Sequence, residues 1–125
     1  MTVFNEKFHE VVSHEGPVAI VTWAEENVNV SNTWASYLRI PKDGRLLIPA
    51  AGMKKTEKNI GLNPNVKLTL GTKEVKGLWG PGAGFLLVGT AEFLYEGEEY
   101  EMMKEAFPFL SRVLVINVDK ITQTV

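Results

Sequence analysis

The sequence predicts a mainly β fold, a six-stranded, mostly antiparallel split β-barrel with short capping helices. Three observations lead there. Six β-prone runs are separated by turn residues; the segments with helical periodicity are short; and strands and helices do not alternate as βαβ units would. No low-complexity tract, long linker or internal repeat breaks the 125 residues, so 1–125 reads as one domain, within the usual range of about 100–200 residues.

The elements follow in order. Phe4, Phe8, Val11 and Val12 recur at near-helical spacing with Asn5 as a possible N-cap, which predicts a short amphipathic helix stopped by Gly16-Pro17. Val18 to Trp23 is a compact strand, Ala24 to Asn29 a polar turn, and Val30 to Ile40 a long, half-polar second strand. Pro41-Lys42-Asp43-Gly44 predicts a hairpin turn, because Pro fixes φ and Asp-Gly tolerates positive φ. Its return strand is Arg45 to Pro49. After Ala50-Ala51-Gly52 comes a helical pattern from Met53 to Leu62, ended by Gly61 and Asn63-Pro64. Val66 to Leu70, extending toward Val75, predicts a fourth strand; Gly77 to Gly84 a glycine loop; Phe85 to Tyr95 a fifth strand interrupted by Gly89. Gly97 to Phe107 is a second-half helix with Tyr100, Met103 and Phe107 on one face, and Val113 to Val118 the last strand.

Composition narrows the chemistry. With no cysteine, no disulfide, thiolate metal site, iron–sulfur cluster or thiol nucleophile is possible. Hydrophobic residues make up 45% and charged residues 22%, a globular rather than disordered balance. Thirteen Lys and Arg against fifteen Asp and Glu give a net charge of −2, so no nucleic-acid surface is expected. No apolar run approaches the roughly 20 residues of a membrane helix. The start MTVFNEKFHEVV lacks the pattern of a signal peptide, which makes the cytoplasm the expected compartment.

Candidate chemical sites are few. His9 and His14 lie on different sides of a helix without a third ligand, so no metal site is expected. No Gly-x-Ser-x-Gly turn presents a nucleophilic serine. Gly80-Pro81-Gly82-Ala83-Gly84 leads into a strand, so it is either a plain connection or a loop that lets a planar ligand approach the backbone. Ala50-Ala51-Gly52-Met53-Lys54-Lys55-Thr56 is more informative. Small residues leave a strand, and a helix then opens with two cations and a hydroxyl. Unpaired N–H groups at a helix start favour an anion, whereas a lysine there opposes the dipole unless a phosphate offsets it. A solvated helix end is the plainer alternative. In the strand Asn32-Thr33-Trp34-Ala35-Ser36-Tyr37, alternation places Asn32, Trp34 and Ser36 on one face and Thr33, Ala35 and Tyr37 on the other. Trp34 serves equally well as ring contact or as core or interface filler.

Three segments, Val30 to Leu38, Ile48 to Glu57 and Gly80 to Leu86, together resemble the pyridoxamine 5′-phosphate oxidase-like FMN-binding split-barrel family, and within it the small FMN-binding members. The similarity runs from Phe8 to the terminal Thr122-Gln123-Thr124-Val125. The resemblance implies a homodimer with one FMN per subunit near the interface, and electron transfer or flavin-dependent oxidoreduction as the function. By position it implies that Asn32, Thr33, Trp34 and Tyr37 lie along the flavin. Ala50, Ala51 and Gly52 would let the ligand approach the backbone, while Lys55 and Thr56 hold the phosphate. Glu15 stands where relatives have a carboxylate near the flavin, Phe109 where they have a tryptophan, and Val125 ends the segment by which a partner chain covers the ring. The basic C-terminal segment of the pyridoxamine phosphate oxidases is absent, so oxidation of that substrate is not expected. No side chain declares itself as a general acid or base, which favours an electron carrier whose redox partner the sequence leaves open. The alternative is a non-redox module, or one for a deazaflavin or haem, on the same fold.

Overall fold

The computed structural model describes residues 4–125. In chain order it contains α1 (Glu6–Val12), β1 (Pro17–Ala24), β2 (Asn27–Trp34), a 3₁₀ turn (Ala35–Tyr37), β3 (Arg45–Ala50), α2 (Lys54–Leu62), β4 (Asn65–Lys76), β5 (Pro81–Leu94), α3 (Glu98–Ala106) and β6 (Arg112–Gln123). The six strands form one curled sheet in the order β2-β1-β4-β5-β6-β3, antiparallel at every pairing. β2 and β3 are its free edges, the lips of a split barrel.

Local chemistry explains the helix starts and strand ends. The Asn5 side chain accepts the Phe8 N–H at 2.8 Å, capping α1. The helix then buries Phe8 and Val11 against β4 and β5. β1 and β2 join through Glu25 and Glu26 alone, with Glu25 at φ +56°, so β2 begins earlier than its polar sequence predicts. It also ends earlier, at Trp34 rather than Ile40. The Ala35 N–H still bonds the Gly16 carbonyl in register at 2.9 Å, and one residue later the Glu15 side chain takes the Ser36 N–H at 3.0 Å as the chain enters the 3₁₀ turn. The hairpin expected around Pro41–Gly44 shrinks to one bridge, in which Arg39 and Leu47 exchange both hydrogen bonds. β3 pairs with β6 instead, because that pairing buries Leu46, Leu47 and Ile48 completely. β4 and β5 are both longer than their apolar cores, which reduces the predicted glycine loop to 77–80 and places Gly82 and Gly84 inside β5. Gly61 does not end α2 but lies within it.

Two apolar layers share β3 and β6. Phe8, Ile20, Leu46, Ile48, Leu68, Leu87, Leu114 and Ile116 fill the inside of the curl. Leu47, Val113 and Val115 point the other way, toward Met103, Phe107 and Leu110 beneath α3. The β5–β6 register shifts at Val88/Gly89. There a side-chain carbon on Gly89 would lie 2.1 Å from the Asn117 carbonyl oxygen. Gly89→Ala is therefore expected to destabilise the fold by about 1–3 kcal/mol, read as a lower urea midpoint with an unchanged m value.

Candidate functional site

The chain leaves β3 at Ala50 and turns through Gly52 (φ +68°) and Met53 (φ +51°) before α2 begins at Lys54. Left-handed backbone at a non-glycine residue carries strain of about 1–3 kcal/mol and persists only where its surroundings enforce it. Here they do. Ser111 donates its N–H to the Ala50 carbonyl at 2.9 Å, and the Arg112 guanidinium donates to the Gly52 carbonyl at 2.6 Å. A side-chain carbon on Gly52 would meet nothing within 4 Å, so the backbone there is accessible.

Within α2 the Glu57 N–H bonds the Met53 carbonyl at 2.9 Å, but the N–H groups of Lys54, Lys55 and Thr56 have no acceptor among the described residues. They form the positive end of the helix dipole. The buried Thr56 hydroxyl accepts from Asn29 Nδ2 at 2.9 Å and lies 3.0 Å from the Ser31 hydroxyl, both on β2. A hydroxyl has one proton and two lone pairs. If Ser31 donates as well, the Thr56 proton is left over for a ligand oxygen. Lys55 is exposed and lines a cavity of about 260 Å³ with Asn27, Asn29, Lys58 and Asn59. Neither Lys55 nor Lys58 has an ion-pair partner among the described residues. Two cations one turn apart on a helix repel each other, and an anion between them reverses that sign.

Ala50, Ala51, Gly52, Lys55 and Thr56, singled out from sequence, thus come together at one turn. Tyr37 and Phe109 meet as well, with ring centroids 5.6 Å apart and Phe107 against both at 5.2 and 6.0 Å. Phe109 is 52% exposed and stands two residues before Ser111, whose N–H bonds the Ala50 carbonyl. Asn32 and Trp34 lie on the exposed face of β2 and Thr33 on its buried face. Asn32 shares an outer cavity of about 550 Å³ with Ala19, Thr69, Gly84 and Val125. The C-terminus is held there by the Thr124 N–H on the Gly84 carbonyl at 2.8 Å. Asn29, Ser31, Lys58 and Arg112 join the site without having been foreseen. Only Lys58 had a signal, its spacing of three from Lys55.

Glu15 accepts the Ser36 hydroxyl at 2.5 Å, as well as the Ser36 and Gly16 N–H groups. The Ser36 hydroxyl, then the Ser36 N–H, hold this carboxyl below its ordinary value of 4.5. The bonds therefore contribute fully above pH 4.5 and are lost as pH falls through the lower folded-state value. In Ser36→Ala the Glu15 carboxyl is expected to titrate closer to 4.5, which the pH dependence of its side-chain ¹³C shift measures.

The donor set suits a phosphate monoester: helix N–H groups and two ammoniums without partners among the described residues, a hydroxyl and exposed backbone. Among the described residues no helix is long and apolar enough to cross a membrane, and no group of three or more His, Asp or Glu is placed to hold a metal.

Comparison with known proteins bears on this arrangement. The family model described as pyridoxamine 5′-phosphate oxidase matches residues 4–124. A protein named "FMN-binding protein" from Nitratidesulfovibrio vulgaris (strain DSM 19637 / Miyazaki F) is 42% identical over 117 residues, 94% of this chain and 95% of that one. Among solved structures, HupZ of Group A Streptococcus superposes with a TM-score of 0.80 at 20% identity, covering 97% of this chain and 94% of that one. An FMN-binding protein from Syntrophomonas wolfei subsp. wolfei gives a TM-score of 0.70 at 19% identity, covering 86% and 76%. These two structural likenesses speak for the fold.

Proposed function

The chain belongs to the pyridoxamine 5′-phosphate oxidase family, and on that premise we propose that it binds FMN as a homodimer and works as a small redox flavoprotein, in electron transfer or flavin-dependent oxidoreduction. The observation that carries the reading is the open turn before α2, where among the described residues the N–H groups of Lys54, Lys55 and Thr56 have no acceptor and Lys55 no ion-pair partner. Lys55, Thr56 and those N–H groups hold the phosphate. Tyr37 and Phe109 supply the wall of the ring site. β2 is a sheet edge, so a flat ring lying along it reaches Asn32 and Trp34 from one face and Thr33 from the other.

The exposed face of β2 carries Val28 (71% exposed), Val30 and Trp34 (47%) in a row, an apolar stripe that a second copy covers. In that dimer the C-terminal segment ending at Val125 closes over the flavin. FMN supplies the electron chemistry when bound; the chain orients the ring, shields it from water and neutralises its phosphate. The site offers donors and aromatic rings rather than a paired acid and base, which supports an electron carrier.

Titrating the purified protein with FMN, a deazaflavin and haem tests this. Stoichiometric FMN binding with quenched flavin fluorescence is expected, together with a dimer in sedimentation at micromolar concentration. Failure to bind FMN, or selective capture of haem or the deazaflavin, overturns the FMN assignment. A monomer overturns the shared site.

A further inference from the structure

Arg112 is the one buried guanidinium of the described residues, and its donors converge on the turn that opens α2. Its Nη2 donates to the Gly52 carbonyl at 2.6 Å, its Nε to Glu57 Oε2 at 2.9 Å and its Nη1 to the Ser111 hydroxyl at 2.8 Å. The plane is backed by the Phe93 ring, 5.1 Å from the guanidinium carbon, and the Tyr95 hydroxyl donates to the same Glu57 oxygen at 2.7 Å.

In an uninterrupted α-helix each N–H bonds the carbonyl four residues earlier. The first N–H groups of a helix lack that partner; for Thr56, the third residue of α2, the carbonyl four residues earlier is Gly52, which stands outside the helix in left-handed backbone and is bonded by Arg112, and the Thr56 N–H has no acceptor among the described residues. One residue later the pattern is regular, with the Glu57 N–H on the Met53 carbonyl. The peptide between Gly52 and Met53 is planar, so clamping its carbonyl toward Arg112 turns the Met53 N–H the opposite way. Glu57 balances the charge of Arg112, so the clamp adds little net field at the anion site.

We propose that Arg112 is a positioning residue for the phosphate site: by taking the Gly52 carbonyl out of α2 it holds the left-handed turn and keeps the Thr56 N–H free for a phosphate oxygen. Arg112 does not itself bind the phosphate: three of its five N–H donors are committed to Gly52, Glu57 and Ser111, its charge is paired with Glu57, and it is buried. Lysine is a poor substitute, because an ammonium cannot reproduce three in-plane bonds at fixed angles. The inference rests on the FMN reading for the identity of the ligand, but its backbone consequence does not.

The test uses Arg112→Lys and Arg112→Met in the full chain. Fluorescence titration is expected to show FMN binding weakened about tenfold or more, with riboflavin, which lacks the phosphate, within about threefold of wild type. In the FMN-free protein, NMR is expected to show slower exchange of the Thr56 amide in Arg112→Met, as the Gly52 carbonyl returns to the helix. Equal loss for both flavins, unchanged FMN affinity in a folded variant, or unchanged Thr56 exchange overturns the proposal. Should Arg112→Met fail to fold, Arg112→Lys keeps the charge and loses the fork, and both measurements are read on it. A wild type that binds neither flavin sinks the FMN reading, while Thr56 exchange still decides the clamp.

Discussion

Replacing Lys55 with alanine is expected to weaken FMN binding by roughly tenfold to a hundredfold while leaving riboflavin close to wild type. Hydrogen bonds to a charged group contribute about 1.5–3 kcal/mol, and Lys55 has no competing ion pair among the described residues. Its whole interaction is therefore available to the ligand. The two flavins differ only in the phosphate, so their ratio isolates that group from ring stacking and from the fold. Lys55 is exposed, and its charge is partly screened. The difference between variant and wild type should accordingly narrow in 1 M salt, where the Debye length falls to about 3 Å. Paired titrations at low and high salt measure it. Equal loss for FMN and riboflavin would show that Lys55 does not read the phosphate.

Phe8→Ala is expected to have the largest effect on stability, about 3–5 kcal/mol. Phe8 is fully buried, stacked on Phe4 at 4.5 Å and edge-on to Phe85 at 5.5 Å. Removing its ring leaves a void between α1 and the β4–β5 face that rigid strands cannot collapse to fill. A loss of this size lowers the melting temperature by roughly 10–20 °C. Trp79→Ala is the matching control: that indole is 80% exposed, and surface changes of its kind stay within about 0.5 kcal/mol. Thermal unfolding followed by circular dichroism compares the two. A small shift for Phe8→Ala would mean that α1 packs more loosely than its burial implies.

What was legible in the sequence had a local cause. Asn5 caps α1 through a bond three residues away, and the apolar runs of β1, β3 and β6 declare themselves as strands. The small-residue exit from β3 into Lys55 and Thr56 also stands in consecutive positions, so the turn could be read directly. The end of β2 could not, because it is set by Glu15, twenty-one residues earlier in the chain. Pairing likewise carried β4, β5 and β6 beyond their apolar centres, since strands extend wherever a neighbour offers partners. Arg112 was invisible for the same reason. It reaches Glu57 and Gly52 across fifty-five and sixty positions, and nothing near it in sequence marks it as part of the site. Asn29 and Ser31 read as ordinary polar residues of a half-exposed strand until Thr56 folds against them.

One consequence follows from the way Val113 and Val115 face α3 while Leu114 and Ile116 face the inside of the curl. β6 has no solvent side over that stretch, so it is the common wall of two rooms. Detachment of α3 would bare only the outer face, while the inner face and the pairings with β3 and β5 keep the strand in place, so hydrogen exchange of the Val113 to Ile116 amides is expected to be among the slowest in the molecule. Arg112 and Ser111, which bond the carbonyls of the turn before α2, stand at the near end of that wall. The candidate site is thereby tied to a strand buried on both faces.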